Sequence, residues 1–131
     1  MKELKRSDLV YPELSYRIIG CAFEVYNILG QGRQEKHYQK ALVEEFKNIG
    51  LAIIEQVYYP ISFKNKNIGK DFLDFLVNSQ VVVEIKKGDR YSKQHIDQVL
   101  EYLKVSDKQL AILINFGSQG VHFKRIINFN S

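Results

Sequence analysis

The chain has 131 residues, 45% of them hydrophobic, which suits one domain with a real core and leaves little room for a second. No run of about 18 apolar residues is present, and the charged start from Met1 to Arg6 has no apolar stretch behind it, so we expect neither a membrane span nor a secretory signal. A lone cysteine excludes an internal disulfide and a cysteine-rich zinc site and favours a cytoplasmic protein, while the net charge of +4 weakly favours a polyanionic partner.

The first part of the chain predicts a lead-in followed by two helices. Residues 1–13 are expected to be a loosely ordered lead-in. Apolar residues then recur at helical spacing from Leu14 until Gly30 and Gly32 stop the pattern. A second helix is predicted from about Gln34 to Asn48. The residues expected to face the core are Leu14, Ile18, Ile19, Cys21, Ala22, Phe23, Val25, Tyr26 and Leu29 in the first helix and Tyr38, Leu42, Phe46 and Ile49 in the second.

Strand-like segments fill the middle of the chain. One is predicted from Leu51 to about Tyr59 and another from Ile61 to Phe63, followed by a turn at 64–67. Apolar runs at 72–77 and 81–86, split by a three-residue polar break, predict a hairpin that pivots on Ser79.

The predicted hairpin brings three charged groups together. With a three-residue loop, Asp74 lies directly opposite Glu84. Side chains alternate along a strand, so Glu84 and Lys86 point to the same face. The pattern Glu-any-Lys occurs three times in the chain and means little alone. The third copy differs because it ends an apolar strand whose neighbour carries an aspartate in register.

The last part of the chain predicts a helix and two strands. Ser92 is positioned to cap a helix that runs to about Val105. Strands are predicted at 110–115 and 121–129. The helix residues expected in the core are Ile96, Val99, Leu100 and Leu103. The order α-α-β-β-β-α-β-β predicts an α/β domain, residues 1–131, with a central mixed β-sheet flanked by helices.

Burying Asp74 and Glu84 is costly unless a positive charge pairs with them. A divalent cation would do so, and oxygen-only ligands suit Mg²⁺ or Mn²⁺. Ile85 lies between two inward-facing side chains, so its carbonyl is expected to point toward the same ion. The alternative is that Asp74, Glu84 and Lys86 form an ion cluster at a strand end near solvent.

Five segments in this order resemble a known family. Gly32 to Tyr38 matches the Gly-x-x-Glu-x-x-Tyr signature of the GxxExxY proteins, which are placed in the PD-(D/E)XK nuclease-like superfamily. The resemblance runs from about residue 14 to 128 and implies a restriction-endonuclease-like core. Leu73 stands where the superfamily name implies proline. The other matching segments are Ile18 to Val25, Asp74 with Glu84 to Lys86, Gln98 to Tyr102, and Leu113 to Phe116.

The resemblance implies a metal-dependent phosphodiesterase site. Asp74 and Glu84 would be metal ligands, Lys86 the signature lysine, and Glu35 an acidic residue contributed by a helix. Gln98 would complete the site, and Gln98 with Tyr102 matches a Gln-x-x-x-Tyr element of related nucleases. From the residues alone, Glu35 is better explained as a first-turn glutamate favoured by the helix dipole, whereas Gln98 and Tyr102 are equally well explained as a half-buried helix edge.

These observations favour a small nuclease that hydrolyses DNA or RNA with Mg²⁺ or Mn²⁺. A basic, aromatic neighbourhood suited to phosphate contacts follows the triplet, although a solvated turn has the same composition; it consists of Lys87, Arg90, Tyr91, Lys93 and His95. Tyr102 is a separate candidate for contact with the nucleic-acid backbone or stacking on a base. The three histidines show no metal-ligand spacing. Two alternatives stay open: a non-catalytic module that binds nucleic acid or protein on the same fold, and a structural protein with an ion network. A homodimer is kept open because a single small domain that cuts duplexes often needs to pair.

Overall fold

A computed structural model describes residues 10–128 as a five-stranded sheet between two helical layers. The predicted order of helices and strands is confirmed. The elements are α1 (Pro12–Leu29), α2 (Glu35–Asn48), β1 (Ile53–Phe63), β2 (Lys66–Val77), β3 (Val81–Lys87), α3 (Lys93–Ser106), β4 (Leu110–Phe116) and β5 (Val121–Ile127).

The two ends of the chain differ from expectation. Residues 1–9 of the predicted lead-in lie outside the described range, as does Phe129, the predicted end of the last strand. Val10 is buried, its carbonyl accepts a hydrogen bond from the Arg125 guanidinium, and α1 already begins at Pro12. Within residues 10–128, none of the helices combines the length and apolar character needed to cross a membrane.

The strands lie side by side in chain order, and only β3 and β4 are parallel. Helix α3 makes the crossover that a parallel pair requires. The hairpin of β2 and β3 has the predicted register, with Val77 opposite Val81 and Phe75 opposite Val83. In its turn, Asn78 and Ser79 both have positive φ, the conformation that tight hairpin turns need at consecutive residues to match the twist of the strands.

Strands β1 and β2 are longer than expected. The two predicted segments at 51–59 and 61–63 form one strand, because Pro60 lies on the edge strand, where a missing N–H is tolerated. Strand β2 begins at Lys66, before the expected start at Phe72. The two strands therefore form a long antiparallel ribbon.

Helices α1 and α2 pack on one face of the sheet. Phe23 and Ile49 were expected in this core but are 43% and 36% exposed, because the buried stripes of both helices are narrower than predicted. Cys21 is buried as expected, and burial raises the pKa of its thiol to about 11. The fully buried residues of this core include Ile18, Leu42, Phe46, Val77, Val83, Ile112 and Ile114.

Helix α3 packs on the opposite face. Ser92 caps it as predicted, since its hydroxyl oxygen accepts a hydrogen bond from the His95 N–H at 3.0 Å. Val99 and Leu103 are buried against the sheet. Leu100 is 44% exposed, so its predicted place in the core is wrong.

Tyr38 joins α2 to the loop before it. Its ring is fully buried and stacks on Phe116 with centroids 4.3 Å apart. Its hydroxyl donates to the Gly30 carbonyl at 2.6 Å and accepts from the Arg33 N–H at 3.3 Å. The tyrosine of the Gly-x-x-Glu-x-x-Tyr pattern is therefore a structural anchor.

We expect Tyr38→Phe to lower the free energy of unfolding by about 1–2 kcal/mol, because the substitution leaves the Gly30 carbonyl without its donor. Tyr38→Ala should cost about 3–5 kcal/mol, since it also removes the buried ring. Urea denaturation measures both, with Tyr16→Phe as the control because Tyr16 is 81% exposed. A Tyr38→Phe variant as stable as the parent would contradict this anchoring role.

Candidate active site

Asp74 and Glu84 meet where β2 and β3 separate. The main-chain pairing of these strands ends at Phe75 and Val83. One residue further, the Asp74 N–H donates to Glu84 Oε1 at 3.0 Å, and the Ile85 N–H donates to Asp74 Oδ2 at 2.8 Å. Two carboxylates thus satisfy the amides that the diverging strands leave unpaired.

The alternation of side chains along β2 breaks at Asp74. Leu73 and Leu76 both pack on the α3 side, although three residues apart, whereas Phe75 packs under α1 and α2. On the neighbouring strand, Gln56 has a φ of 56°, in the left-handed region. This irregularity lets the Asp74 carboxylate contact β3 and also accept a hydrogen bond from Gln39 Nε2 of α2 at 2.9 Å.

Glu84 is an acid in an unfavourable place for a charge. It is 4% exposed, and its pKa is raised to about 9, chiefly by burial and then by interaction with the Asp74 side chain, through a carboxyl–carboxyl hydrogen bond and through charge, whereas the bond from the Asp74 N–H lowers it. Lys86 opposes the shift, but its Nζ is 3.9 Å from Glu84 Oε2, beyond hydrogen-bond distance. Without a closer cation, Glu84 therefore holds a proton at neutral pH.

This acid pair fits a divalent cation. Mg²⁺ and Mn²⁺ prefer oxygen ligands, and Mg²⁺ commonly uses one or two carboxylates together with substrate phosphate. Within residues 10–128, however, no group of three or more acidic, histidine or cysteine side chains is arranged to hold a metal. Of the predicted ligand set, Asp74 and Glu84 are brought together, and Ile85 lies beside them with its N–H bound to Asp74.

Glu35 has a different partner from the one expected. It is half-buried in the first turn of α2, and its Oε1 accepts a hydrogen bond from the Lys87 N–H at 3.0 Å. The contact joins α2 to the end of β3, next to Lys86. Glu35 therefore lies near the site but does not share a metal-binding group with Asp74 and Glu84.

A groove of about 690 Å³ runs between α3 and the β1–β2 ribbon. Lys86 opens into the groove from β3, and His95 lies close to it. The pKa of His95 is lowered first by burial and then by the Lys86 charge, whereas the Glu35 charge raises it. Gln98 lies on the groove wall as a partner of the Tyr59 hydroxyl. The complete lining is Tyr59, Ile61, Asp71, Lys86, Lys93, Gln94, His95, Asp97, Gln98 and Glu101.

The residues expected to contact nucleic acid have different surroundings. Tyr102 is 4% exposed and packs edge-to-face on Tyr59 with centroids 5.6 Å apart, so its ring is not available for base stacking. Lys87 and Arg90 are exposed. Lys93 is exposed at the groove and pairs with Asp97 at 3.0 Å.

Sequence reasoning missed one residue that contacts the acid pair. Gln39 is four residues after Glu35 and therefore one helical turn further along the same face, which was the available signal. His95, expected in the basic neighbourhood after Lys86, lies on the groove wall near the start of α3.

Comparisons with known proteins agree with this architecture. The family model of the PD-(D/E)XK nuclease superfamily matches residues 12–126, which is most of the chain. A solved structure titled "Crystal structure of SSO0001" is 22% identical with a TM-score of 0.55, covering 94% of this chain. This chain spans only 60% of that protein's length. None of the curated proteins matches the sequence.

Weaker structural similarity extends to an alkaline exonuclease, LHK-Exo, from Laribacter hongkongensis. Its complex with dAMP is 11% identical with a TM-score of 0.47, covering 89% of this chain and 83% of the other. A second structure of the same exonuclease is 11% identical with a TM-score of 0.42, covering 88% of this chain and 83% of the other.

We expect Glu84→Gln to change how stability depends on pH in the metal-free protein. Folding raises the Glu84 pKa from its ordinary value of 4.5 to about 9. The folded state therefore binds more protons than the unfolded state between these values, and the stability of the parent falls as pH rises through this range. A glutamine needs no proton, so the variant should gain stability relative to the parent as pH increases.

Thermal denaturation in EDTA from pH 5 to pH 9 checks this expectation. The matched control is Glu101→Gln, because Glu101 is exposed on α3. Parallel stability profiles for the parent and Glu84→Gln would show that the buried carboxyl does not titrate as proposed.

Proposed function

The chain belongs to the PD-(D/E)XK nuclease superfamily, and we propose that it is a metal-dependent nuclease that hydrolyses phosphodiester bonds of DNA or RNA. One observation carries the proposal: the contact between half-buried Asp74 and buried Glu84 at the strand separation, with Lys86 beside it facing an open groove. Within the superfamily, the spacing of Gly32, Glu35 and Tyr38 supports the GxxExxY family.

Asp74 and Glu84 would hold Mg²⁺ or Mn²⁺, and the main-chain carbonyl of Ile85 is proposed as a further ligand. When bound, the ion supplies Lewis-acid stabilisation of the phosphate and lowers the pKa of a coordinated water. The proton that Glu84 holds in the metal-free protein would leave on binding, because metal ligands must be deprotonated.

The chain's own residues would bind and orient the phosphodiester. The Lys86 ammonium faces the groove, where it is proposed to stabilise charge on the phosphate or orient the attacking water. Glu35 would support Lys86 indirectly, since it holds the main chain at Lys87. Gln98 would shape the groove wall through Tyr59, which packs on the buried Tyr102. Lys87, Arg90 and Lys93 are proposed phosphate contacts at the groove entrance.

A specific observation also favours the non-catalytic alternative. Each carboxylate oxygen of the acid pair has a partner within the chain: Gln39 and the Ile85 N–H for Asp74, and the Asp74 N–H and, at 3.9 Å, Lys86 for Glu84. Such a pair can serve as a structural clasp in a module that binds nucleic acid without cutting it. Salt-sensitive binding with no cleavage in Mn²⁺ would favour this second function.

We expect Asp74→Asn to reduce cleavage in Mg²⁺ or Mn²⁺ to background, because the amide loses the charge that holds a cation. The amide oxygen still accepts the Ile85 N–H, so the fold should survive. Lys86→Ala should lower cleavage at least about a hundredfold, the usual effect of removing one group that stabilises transition-state charge. Initial rates on labelled single-stranded and duplex DNA and RNA measure both effects.

The matched controls lie on α3 and its end. Asp107→Asn suits Asp74→Asn, because Asp107 is an exposed C-cap at φ 61°, a conformation that asparagine tolerates. Lys104→Ala suits Lys86→Ala, because Lys104 is exposed. Undiminished cleavage by a folded Asp74→Asn or Lys86→Ala variant would refute the proposal that these residues form a nuclease active site.

A further inference from the structure

The β1–β2 ribbon extends beyond the body of the sheet. Strand β2 pairs with β3 only from Phe75 to Val77, whereas its pairing with β1 continues to Lys66. From Val57 to Phe72 the ribbon therefore consists of β1 and β2 alone, and different residues lie on its two faces.

The outer ribbon face consists of Tyr58, Pro60, Lys70 and Phe72. Tyr58 lies opposite Phe72 and Pro60 opposite Lys70 in the register. The intervening residues Tyr59 and Asp71 line the groove with α3, so the outer ribbon face points away from the groove.

The outer ribbon face carries two exposed aromatic rings and one ammonium group. Tyr58 and Phe72 are 52% and 41% exposed, and their rings meet edge-to-face with centroids 5.9 Å apart. The Lys70 Nζ lies 5.9 Å from the Phe72 centroid. Phe63, which is 59% exposed with the Lys64 Nζ 5.4 Å from its ring, lies two residues after the groove-lining Ile61, so alternation along β1 places it on the groove side of the ribbon.

The charge of the ribbon matches a polyanion. From Gln56 to Lys70 the sequence contains three lysines and no acidic residue. The neighbouring Asp71 belongs to the groove face. Protein interfaces are depleted of lysine at their centres, whereas nucleic acid sites combine a basic track with aromatic platforms.

We propose that the outer ribbon face binds single-stranded nucleic acid, with bases stacked on Tyr58 and Phe72 and a phosphate contacted by Lys70. The strand is single because the rings need unpaired bases to stack on. The inference rests on the proposed function in that it names the form of the substrate. Phe72 precedes Asp74 by two residues, or roughly 7 Å along the strand, so a strand held here leads toward the acid pair.

Binding is measured in EDTA by fluorescence anisotropy of a labelled single-stranded oligonucleotide, so that no cleavage is needed. Tyr58→Leu and Phe72→Leu keep an apolar side chain on the strand but remove the ring. Each should weaken binding about fivefold or more, which corresponds to the loss of one stacked base. Lys70→Gln should reduce the slope of log K against log salt by about 0.7, as expected for one lost phosphate contact on a single strand.

The controls test the same chemistry elsewhere. Tyr16→Leu removes an exposed ring on α1, and Lys124→Gln removes an exposed charge on β5 at the other edge of the sheet. Both should bind as the parent does. Thermal melts confirm that each ribbon variant is folded, and for any variant that is not, Tyr58→Thr and Phe72→Thr, which keep a good strand former without a ring or a charge, replace it.

The outcomes separate this inference from the nuclease itself. Binding by the parent that weakens in the ribbon variants supports the inference even if no cleavage occurs in Mn²⁺. Cleavage with unchanged binding by the ribbon variants overturns the inference and leaves the nuclease intact. No binding by the parent, or ribbon variants that alter only self-association in sedimentation, also overturns it, the latter because the surface then fits a second copy.

Discussion

Two hydrogen bonds between carboxylates and main-chain amides determine where β2 leaves β3. Asp74 accepts from Ile85, and Glu84 accepts from Asp74, at the step where the ladder would otherwise continue. Strand β3 is paired in parallel with β4 along its whole length, whereas beyond this point β2 pairs only with β1. The groove lies between that ribbon and α3, so the geometry of the site depends on this separation. The same contact holds a buried acid, Glu84, against the half-buried Asp74, an arrangement that a cation would stabilise.

The Glu and Tyr residues of the Gly-x-x-Glu-x-x-Tyr pattern hold main-chain segments around the site in place. Tyr38 anchors the loop before α2 through Gly30, and Glu35 holds the main chain at Lys87. One turn further along α2, Gln39 contacts Asp74. Helix α2 thus touches both strands that carry the acid pair, which explains how a helical motif distant in sequence supports groups that lie on the sheet.

The sequence predicted what strict periodicity determines. The period of two along strands and the three-residue break after Val77 were sufficient to place Asp74 opposite Glu84, and the hairpin register agrees. The break in alternation at Asp74 could not be predicted, because it depends on the left-handed conformation of Gln56 on another strand. Helical patterns gave the buried stripes but not their width, so Phe23 and Leu100 were wrongly assigned to the core. Tyr102 was expected to be accessible to nucleic acid, but Tyr59 of the ribbon covers its ring.

The two faces of the ribbon differ in charge, and this difference restricts how a polyanion can approach. The groove face carries Asp71, and across from it α3 presents Asp97 and Glu101, which disfavour a long run of phosphates inside the groove. Positive charge in the groove comes from Lys86 and from Lys93, which Asp97 partly neutralises. The outer ribbon face has no such acids between Gln56 and Lys70. In the proposed complex, a strand on the outer ribbon face would avoid these acids and meet the groove only where β2 leaves β3, beside Lys86. Burial disfavours the charged form of Glu84 in the absence of a cation, so the proposed site would favour a metal ion and a phosphate arriving together over either one alone.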